Sequence, residues 1–194
     1  MRIMNVKKEA IIILLVIGVM AVVSGCARWP YEPGPGPGAE YKLQIIVQVL
    51  GEIDVNNGKY YIVLDNNGNS ADGPGEEVDG WNDDYYYVKL DYWGFDFARV
   101  DESSSPITLT DSLIGEDEFQ VTISLSDLGE IEDSIDFNVV TTDLDNNTYY
   151  YLDNYLNIGT TFGSMAEDYP SWSGTENYEE DFIIFKVIAE IIIL

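Results

Sequence analysis

Side chains with oxygen atoms recur at every second position of one segment, at Asp65, Asn67 and Asn69, and Glu76 follows them. That spacing folds carboxylate and amide oxygens around a hard cation, and Glu76 stands where an EF-hand-like loop has its bidentate carboxylate. Because Ser70 replaces the glycine expected at the sixth position and no helical pattern flanks the segment, we interpret it as a generic calcium loop. The alternative is a glycine-rich loop whose Asp and Asn side chains cap their own turns.

A second acidic turn, which contains Asp143 and Asp145, repeats the alternate spacing without a terminal carboxylate. If both turns lie at the same end of the domain, they can share one ion. The sequence therefore predicts calcium as a structural ion. The formal net charge of −26 at pH 7 is consistent with cation binding, and it is equally consistent with adaptation to high salt or high pH, or with a simply well-solvated surface.

Aromatic side chains near the acidic segments supply a second kind of candidate site. A sugar site combines a flat aromatic face with carboxylate or amide groups that accept hydroxyl hydrogens. The predicted ligand-binding residues are Trp81, Tyr85, Trp93 and Trp172. Tyrosines that alternate along a strand are also typical of ordinary packing on a sheet face, so that alternative stays open.

The composition argues against catalysis and against nucleic-acid binding. The chain has no histidine, its single cysteine is Cys26, and it contains neither a Gly-x-Ser-x-Gly motif nor a phosphate-cradling loop. Carboxylates are so abundant that no particular acidic pair indicates a glycosidase. Because a strongly negative chain repels phosphate backbones, nucleic acid is excluded as a partner. We therefore predict a protein that is not an enzyme.

The elements that must position these residues have a period of two. Apolar and polar residues alternate in residues 41–50, 119–125 and 135–139, which is typical of strands with one buried face. Clusters of Asn, Asp and Gly separate further strand candidates, which are residues 60–64, 85–92, 95–100, 107–110, 149–152 and 182–193. The sequence thus predicts an all-β fold, an antiparallel β-sandwich of about eight or nine strands, with a barrel as the alternative.

The C-terminal run, residues 182–194, is apolar except for Lys186 and Glu190. One interpretation is a central strand buried between two sheets. The other is a strand that pairs with a neighbouring molecule, because an apolar strand at a chain end can complete the edge of another sheet.

Residues 1–25 have the pattern of a secretory signal. Arg2, Lys7 and Lys8 precede an apolar run from residue 10 to residue 23, which is shorter than the roughly 20 residues that a spanning helix needs. The sequence Val23-Ser24-Gly25-Cys26 resembles the lipobox of bacterial lipoproteins. This resemblance implies cleavage before Cys26, diacylation of Cys26, and a lipid-anchored mature chain in the cell envelope.

Prolines alternate with glycines between residues 33 and 38, and Pro30 precedes them, a composition that predicts an extended tether. The predicted organisation is a signal peptide at residues 1–25, a lipidated cysteine with its tether at residues 26–40, and a β-sandwich domain at residues 41–194.

Two stretches of the domain resemble DOMON-like and family 9-like carbohydrate-binding β-sandwiches. The first, residues 60–65, reads Tyr-Tyr-Ile-Val-Leu-Asp, and the second, residues 119–128, reads Phe-Gln-Val-Thr-Ile-Ser-Leu-Ser-Asp-Leu. The second is followed by Ile-Asp-Phe-Asn-Val at residues 135–139 and then by Asp-Leu-Asp at residues 143–145. The resemblance implies a sandwich that binds sugar or haem, and the absence of histidine excludes the histidine-ligated haem version.

We therefore predict a non-catalytic binding module anchored to the cell envelope through lipid on Cys26, with polysaccharide or glycan as its ligand and calcium as a structural ion. The alternative is a structural surface subunit that self-associates by strand exchange through residues 182–194 or 41–50.

Overall fold

The computed structural model describes residues 39–69, 71, 73–129, 131, 133–170 and 180–193. The predicted signal peptide, Cys26, most of the tether and Trp172 lie outside the described residues. Within them, twelve strands form two antiparallel sheets, so the predicted all-β sandwich is confirmed. None of the helices in this part of the chain has the length and apolar character needed to cross a membrane.

The strands are short and follow one another through turns and single 3-10 turns. In chain order they are β1 (Tyr41–Val49), β2 (Gly58–Asp65), β3 (Tyr86–Asp91), β4 (Gly94–Arg99), β5 (Ile107–Thr108), β6 (Ser112–Ile114), β7 (Glu118–Ser124), β8 (Ser134–Asp143), β9 (Thr148–Tyr151), β10 (Leu156–Gly159), β11 (Met165–Asp168) and β12 (Ile184–Ile193). The five-stranded sheet has the order β11-β12-β1-β7-β6, and the seven-stranded sheet has the order β10-β8-β2-β3-β4-β5 with β9 beside β8.

The core lies between the inner faces of the two sheets, because alternate residues of each strand point inward. On β1 the buried set Leu43, Ile45, Val47 and Val49 alternates with partly exposed residues. From the other sheet, the fully buried ring of Tyr60 contacts the ring of Phe119 at 5.7 Å between centroids. Burial of these apolar faces stabilises the sandwich.

The pairing register defines the two ends of the sandwich. A Cβ atom at Gly58 would lie 2.4 Å from the ring of Phe182, and Phe182 leads into β12 where that strand pairs with Val49. Gly58 and Val49 therefore lie at one end, which we call the far end. Tyr41, the first residue of β1, and Asp65, the last residue of β2, lie at the opposite end, which we call the entry end.

The strand β12 is internal to its sheet. It pairs with β11 on one side and β1 on the other, and β1 in turn pairs with β7. Ile184, Val187, Ala189 and Ile191 are buried, whereas Phe185 is 52% exposed beside a register shift. Both strands considered for exchange between molecules are thus paired on both edges, and an exchange would first have to break these ladders.

Candidate functional site

The structure does not bring together the four predicted calcium ligands of the first loop. Asp65 lies opposite Asp136 at the entry end. The carbonyl oxygen of Glu76 accepts a hydrogen bond from Thr148 Oγ1 at 3.1 Å, and Thr148 pairs with Thr142, which lies six residues along β8 from Asp136. At about 3.4 Å per residue this separation is roughly 20 Å. Glu76 therefore does not join Asp65 around one ion.

Asp65 and Asn67 cap the turns that follow them, which is the alternative that the sequence left open. Asp65 Oδ1 accepts the backbone N–H of Asn67 at 3.0 Å, and Asn67 Oδ1 accepts the backbone N–H of Asn69 at 2.6 Å. Such Asx turns need no metal. Across the described ranges, no three His, Cys, Asp or Glu side chains form a group that could hold a metal ion.

Asp143 organises the second acidic turn. Its Oδ1 atom accepts the backbone N–H groups of Asp145 and Asn147, both at 2.8 Å, and its Oδ2 atom accepts Asn147 Nδ2 at 2.6 Å. These bonds, the side-chain bond to Asn147 first, hold the pKa of Asp143 below its ordinary value. Asp143 pairs with Gly58 at the far end, so the two acidic turns lie at opposite ends and cannot share one ion.

A half-open cleft of about 420 Å³ lies on the outer face of the seven-stranded sheet. Side chains of β2 and β3 form its floor, and the segments that precede β3, follow β4 and join β8 to β9 form its walls. The lining residues are Lys59, Tyr61, Val78, Asp79, Trp81, Asp83, Tyr87, Lys89, Val100, Ser103 and Asn146. A small cavity that combines aromatic and polar side chains is typical of a ligand site.

Three aromatic rings form the centre of the cleft. The ring centroids lie 5.5 Å apart for Tyr61 and Trp81, 6.3 Å for Tyr61 and Tyr87, and 6.4 Å for Trp81 and Tyr87. Trp81 is only 8% exposed, and its indole N–H donates to the Gly75 carbonyl oxygen at 2.9 Å. Trp81 thus fastens its loop to the sheet and forms part of the cleft. Tyr85 is 4% exposed and packs in the same apolar cluster, so Tyr87 is the more accessible tyrosine.

Lys59, Tyr61 and Asn146 form a hydrogen-bonded group at the far end of the cleft. Lys59 Nζ donates to the Leu144 carbonyl oxygen at 2.6 Å and to Asn146 Oδ1 at 2.8 Å. The Tyr61 hydroxyl donates to the same Asn146 oxygen at 3.1 Å. Burial raises the pKa of Tyr61 to about 12, so this hydroxyl keeps its proton at neutral pH. Asn146 has φ +67°, a left-handed conformation that asparagine tolerates.

The two lysines that line the cleft, Lys59 and Lys89, differ in their ion pairs. Lys89, the other basic residue of the cleft, pairs with Asp91 at 2.8 Å and with Asp96 at 3.1 Å. Burial lowers the pKa of Lys89, but its hydrogen bonds to both carboxylates outweigh that effect and raise the pKa overall. Among the described residues, Lys59 is the one basic side chain with no carboxylate oxygen within 4.0 Å of its charged nitrogen.

Trp93 lies outside the cleft, at the tip of the β3–β4 hairpin at the far end. It is 85% exposed, and its ring meets the ring of Tyr92 edge-on at 5.2 Å. Gly94 closes this turn with φ +105°, a conformation that favours glycine. Of the predicted stacking residues, Trp81 is therefore buried in the loop before β3, and Trp93 is exposed at the tip of the hairpin.

Comparison with protein-family models, with curated proteins and with solved structures finds no match to this chain in any of the three. The functional argument therefore depends on the cleft itself. Its residues Lys59, Tyr61, Tyr87 and Asn146 were not among the sequence-predicted ligand residues. For the three strand residues the sequence signal is alternation, because Lys59 and Tyr61, like Tyr87 and Lys89, stand two apart on neighbouring strands and so share the outer face. Asn146 lies in the turn between β8 and β9 and has no such signal.

Proposed function

We propose that the protein is a lipid-anchored, non-catalytic module of the cell envelope that binds polysaccharide or glycan in the cleft. The observation that carries the proposal is the aromatic group Tyr61, Trp81 and Tyr87, flanked by hydrogen-bonding side chains. Tyr61 and Trp81 are 5% and 8% exposed and support the ring of Tyr87, which is only partly buried and offers its apolar face to the C–H groups of a sugar. Fixed polar groups exchange hydrogen bonds with the sugar hydroxyls. The volume falls within the range of about 300–1,000 Å³ that is usual for small-ligand sites.

The polar groups around the rings differ in the hydrogen bonds that they offer. Asp79 and Asp83 supply acceptors on the loop side, whereas Lys59 and Asn146 supply donors at the far end. A hydroxyl both donates and accepts, so a glycan is matched to a cleft with both kinds of partner. The resemblance to carbohydrate-binding sandwiches supports the same ligand class, and the lipobox resemblance at Cys26 supports the envelope location.

The experiment that tests this function is binding of the full-length lipidated protein, in detergent, to an array of bacterial, plant and algal oligosaccharides. We expect Tyr87→Ala to weaken binding about tenfold, which corresponds to about 1.4 kcal/mol and to one aromatic contact. Tyr92→Ala is the matched control, because Tyr92 is 66% exposed on the hairpin outside the cleft. If Tyr92→Ala abolished binding and Tyr87→Ala did not, the result would contradict a site in the cleft. If the unmodified protein bound no oligosaccharide of the array, the result would contradict the function.

Calcium remains the proposed structural ion, and its support comes from Asp65, one of the predicted ligands, together with Asp136 in place of Glu76. Asp65 and Asp136 lie opposite each other on β2 and β8, and each is 1% exposed. Like charges placed directly opposite are destabilising, and a divalent cation would offset that repulsion.

Thermal unfolding with excess calcium or with chelator, at fixed ionic strength, tests the calcium proposal. At a hundredfold excess over the dissociation constant, we expect calcium to add about 2.7 kcal/mol to the free energy of unfolding. Asp136→Asn should abolish this gain. Asp143→Asn, a change at the other end of the sheet, should leave the gain intact. If calcium and chelator give the same unfolding temperature for the unmodified protein, calcium is not a structural ion.

A further inference from the structure

We propose that the far end of the cleft binds a carboxylate group of the glycan, so that the preferred ligand contains a uronic acid or a similar singly charged acidic sugar. This inference rests on the proposed glycan-binding function and names the ligand class of the same cleft. It is carried by the charge of Lys59 and by the hydrogen-bond donors around Lys59 and Asn146.

Lys59 forms no contact ion pair, although the chain as a whole has a net charge of −26. The electrostatic interaction of Lys59 with Asp143 helps to lower the pKa of that carboxyl but acts beyond 4.0 Å. Every other described basic side chain lies close to a carboxylate, with the nitrogen and oxygen atoms between 2.8 and 3.6 Å apart. Lys59 instead contacts two neutral oxygens, of Leu144 and Asn146. Of the two ammonium groups that line the cleft, Lys59 is therefore the one that can form a contact ion pair with a ligand anion without displacing a carboxylate of the protein.

The hydrogen-bond count of this group leaves donors for a ligand. An ammonium group has three N–H donors, and Lys59 uses two of them on the two neutral oxygens. Asn146 Oδ1 accepts from both Lys59 and Tyr61, which fixes the orientation of the amide. No acceptor in the described part of the chain takes the Nδ2 hydrogens of Asn146. Ammonium and amide donors together match a carboxylate acceptor.

The rest of the cleft argues against a ligand with many negative charges. Asp79 and Asp83 line the loop side, and Lys89 is already paired with two carboxylates. The chain as a whole repels polyanions. An otherwise neutral oligosaccharide with a single carboxylate can pair that carboxylate with Lys59 at one end of the cleft. Its hydroxyls can then donate hydrogen bonds to Asp79 and Asp83 at the other end.

The test is an oligosaccharide array of matched pairs in which one member has a carboxylate and the other a hydroxymethyl group, with sulfated members included. We expect the full-length protein to bind the acidic members at least tenfold more tightly than their neutral counterparts. Lys59→Gln should remove this preference, so that acidic and neutral members bind with similar affinity. Lys42→Gln is the matched control, because Lys42 pairs with Asp111 on the other sheet and should leave the preference intact. Unfolding temperatures of both variants establish that they fold.

The outcomes separate this inference from the proposed function. Binding of neutral members only, or an acidic preference that persists in Lys59→Gln, overturns the carboxylate site while glycan binding stands. Equal or tighter binding of sulfated members overturns the assignment to a carboxylate. If the unmodified protein binds no oligosaccharide at all, both the inference and the function fall.

Discussion

Replacing Phe182 by alanine is expected to lower the free energy of unfolding by about 3–5 kcal/mol. Phe182 is fully buried, and its ring stacks on Tyr60 at 5.5 Å and on Tyr149 at 4.8 Å between centroids. Truncation removes this packing and leaves a cavity between the sheets, which the surrounding strands can close only in part. Chemical denaturation followed by circular dichroism measures the loss.

Phe185→Ala is the matched control, three residues further along the chain. Phe185 belongs to β12 but is 52% exposed, because the register shift beside it turns the side chain away from the core. We expect the control to change the free energy of unfolding by less than about 1 kcal/mol. If the two variants lost equal stability, Phe182 would not be the core residue that this fold requires.

The long strands could be predicted from sequence because their apolar and polar residues alternate wherever one face of the strand is buried. Residues 41–50 were predicted as a strand, and β1 spans Tyr41–Val49. The strands β6, β10 and β11 were not predicted. In β11, Met165 is 58% exposed, and the four residues pair through their backbone at the edge of the sheet. An edge strand with little buried surface leaves no apolar period in the sequence.

The site was less predictable, since long-range contacts decide it. The spacing of Asp65 and Glu76 suggested a loop that closes on itself. Instead, Asn138 Nδ2 donates to the Pro74 carbonyl oxygen at 3.0 Å, and the Trp81 indole holds Gly75, so the segment runs along the outer face of the sheet. The first contact joins residues 64 positions apart, and the second depends on the packing of the Trp81 ring against Tyr61 of the sheet, so the spacing of Asp65 and Glu76 encodes neither.

The register between β2 and β3 is the second element that local patterns leave undetermined. Tyr61 pairs with Lys89, and Val63 pairs with Tyr87, which sets the rings of Tyr61 and Tyr87 side by side. A shift by one residue would place each side chain of β3 on the opposite face. The burial of Val88 and Leu90 against the core excludes that shift, and this burial becomes visible only once the partner sheet is known.

Trp93→Ala, at the tip of the β3–β4 hairpin, is the matched control for Trp81→Ala in the cleft. Trp93→Ala should change the free energy of unfolding by less than about 0.5 kcal/mol, because the side chain is 85% exposed and its removal opens no cavity. The same variant should bind glycan as tightly as the unmodified protein, because Trp93 does not line the cleft, whereas the sequence-based prediction of Trp93 as a ligand-binding residue requires weaker binding. Equilibrium denaturation and array binding are recorded on the same preparation.

Trp81→Ala is expected to lower the free energy of unfolding by about 3 kcal/mol and to abolish glycan binding. The change removes a ring that contacts Tyr61 and Tyr87, and it leaves the Gly75 carbonyl oxygen without its indole donor. Without this anchor the loop that carries Asp79 is no longer fixed on the sheet, so one wall of the cleft is lost. Trp81→Phe retains most of the packing and should lose only the hydrogen bond, about 1 kcal/mol. A Trp81→Ala protein with normal stability and intact binding would show that neither the loop anchor nor the cleft has the role assigned to it.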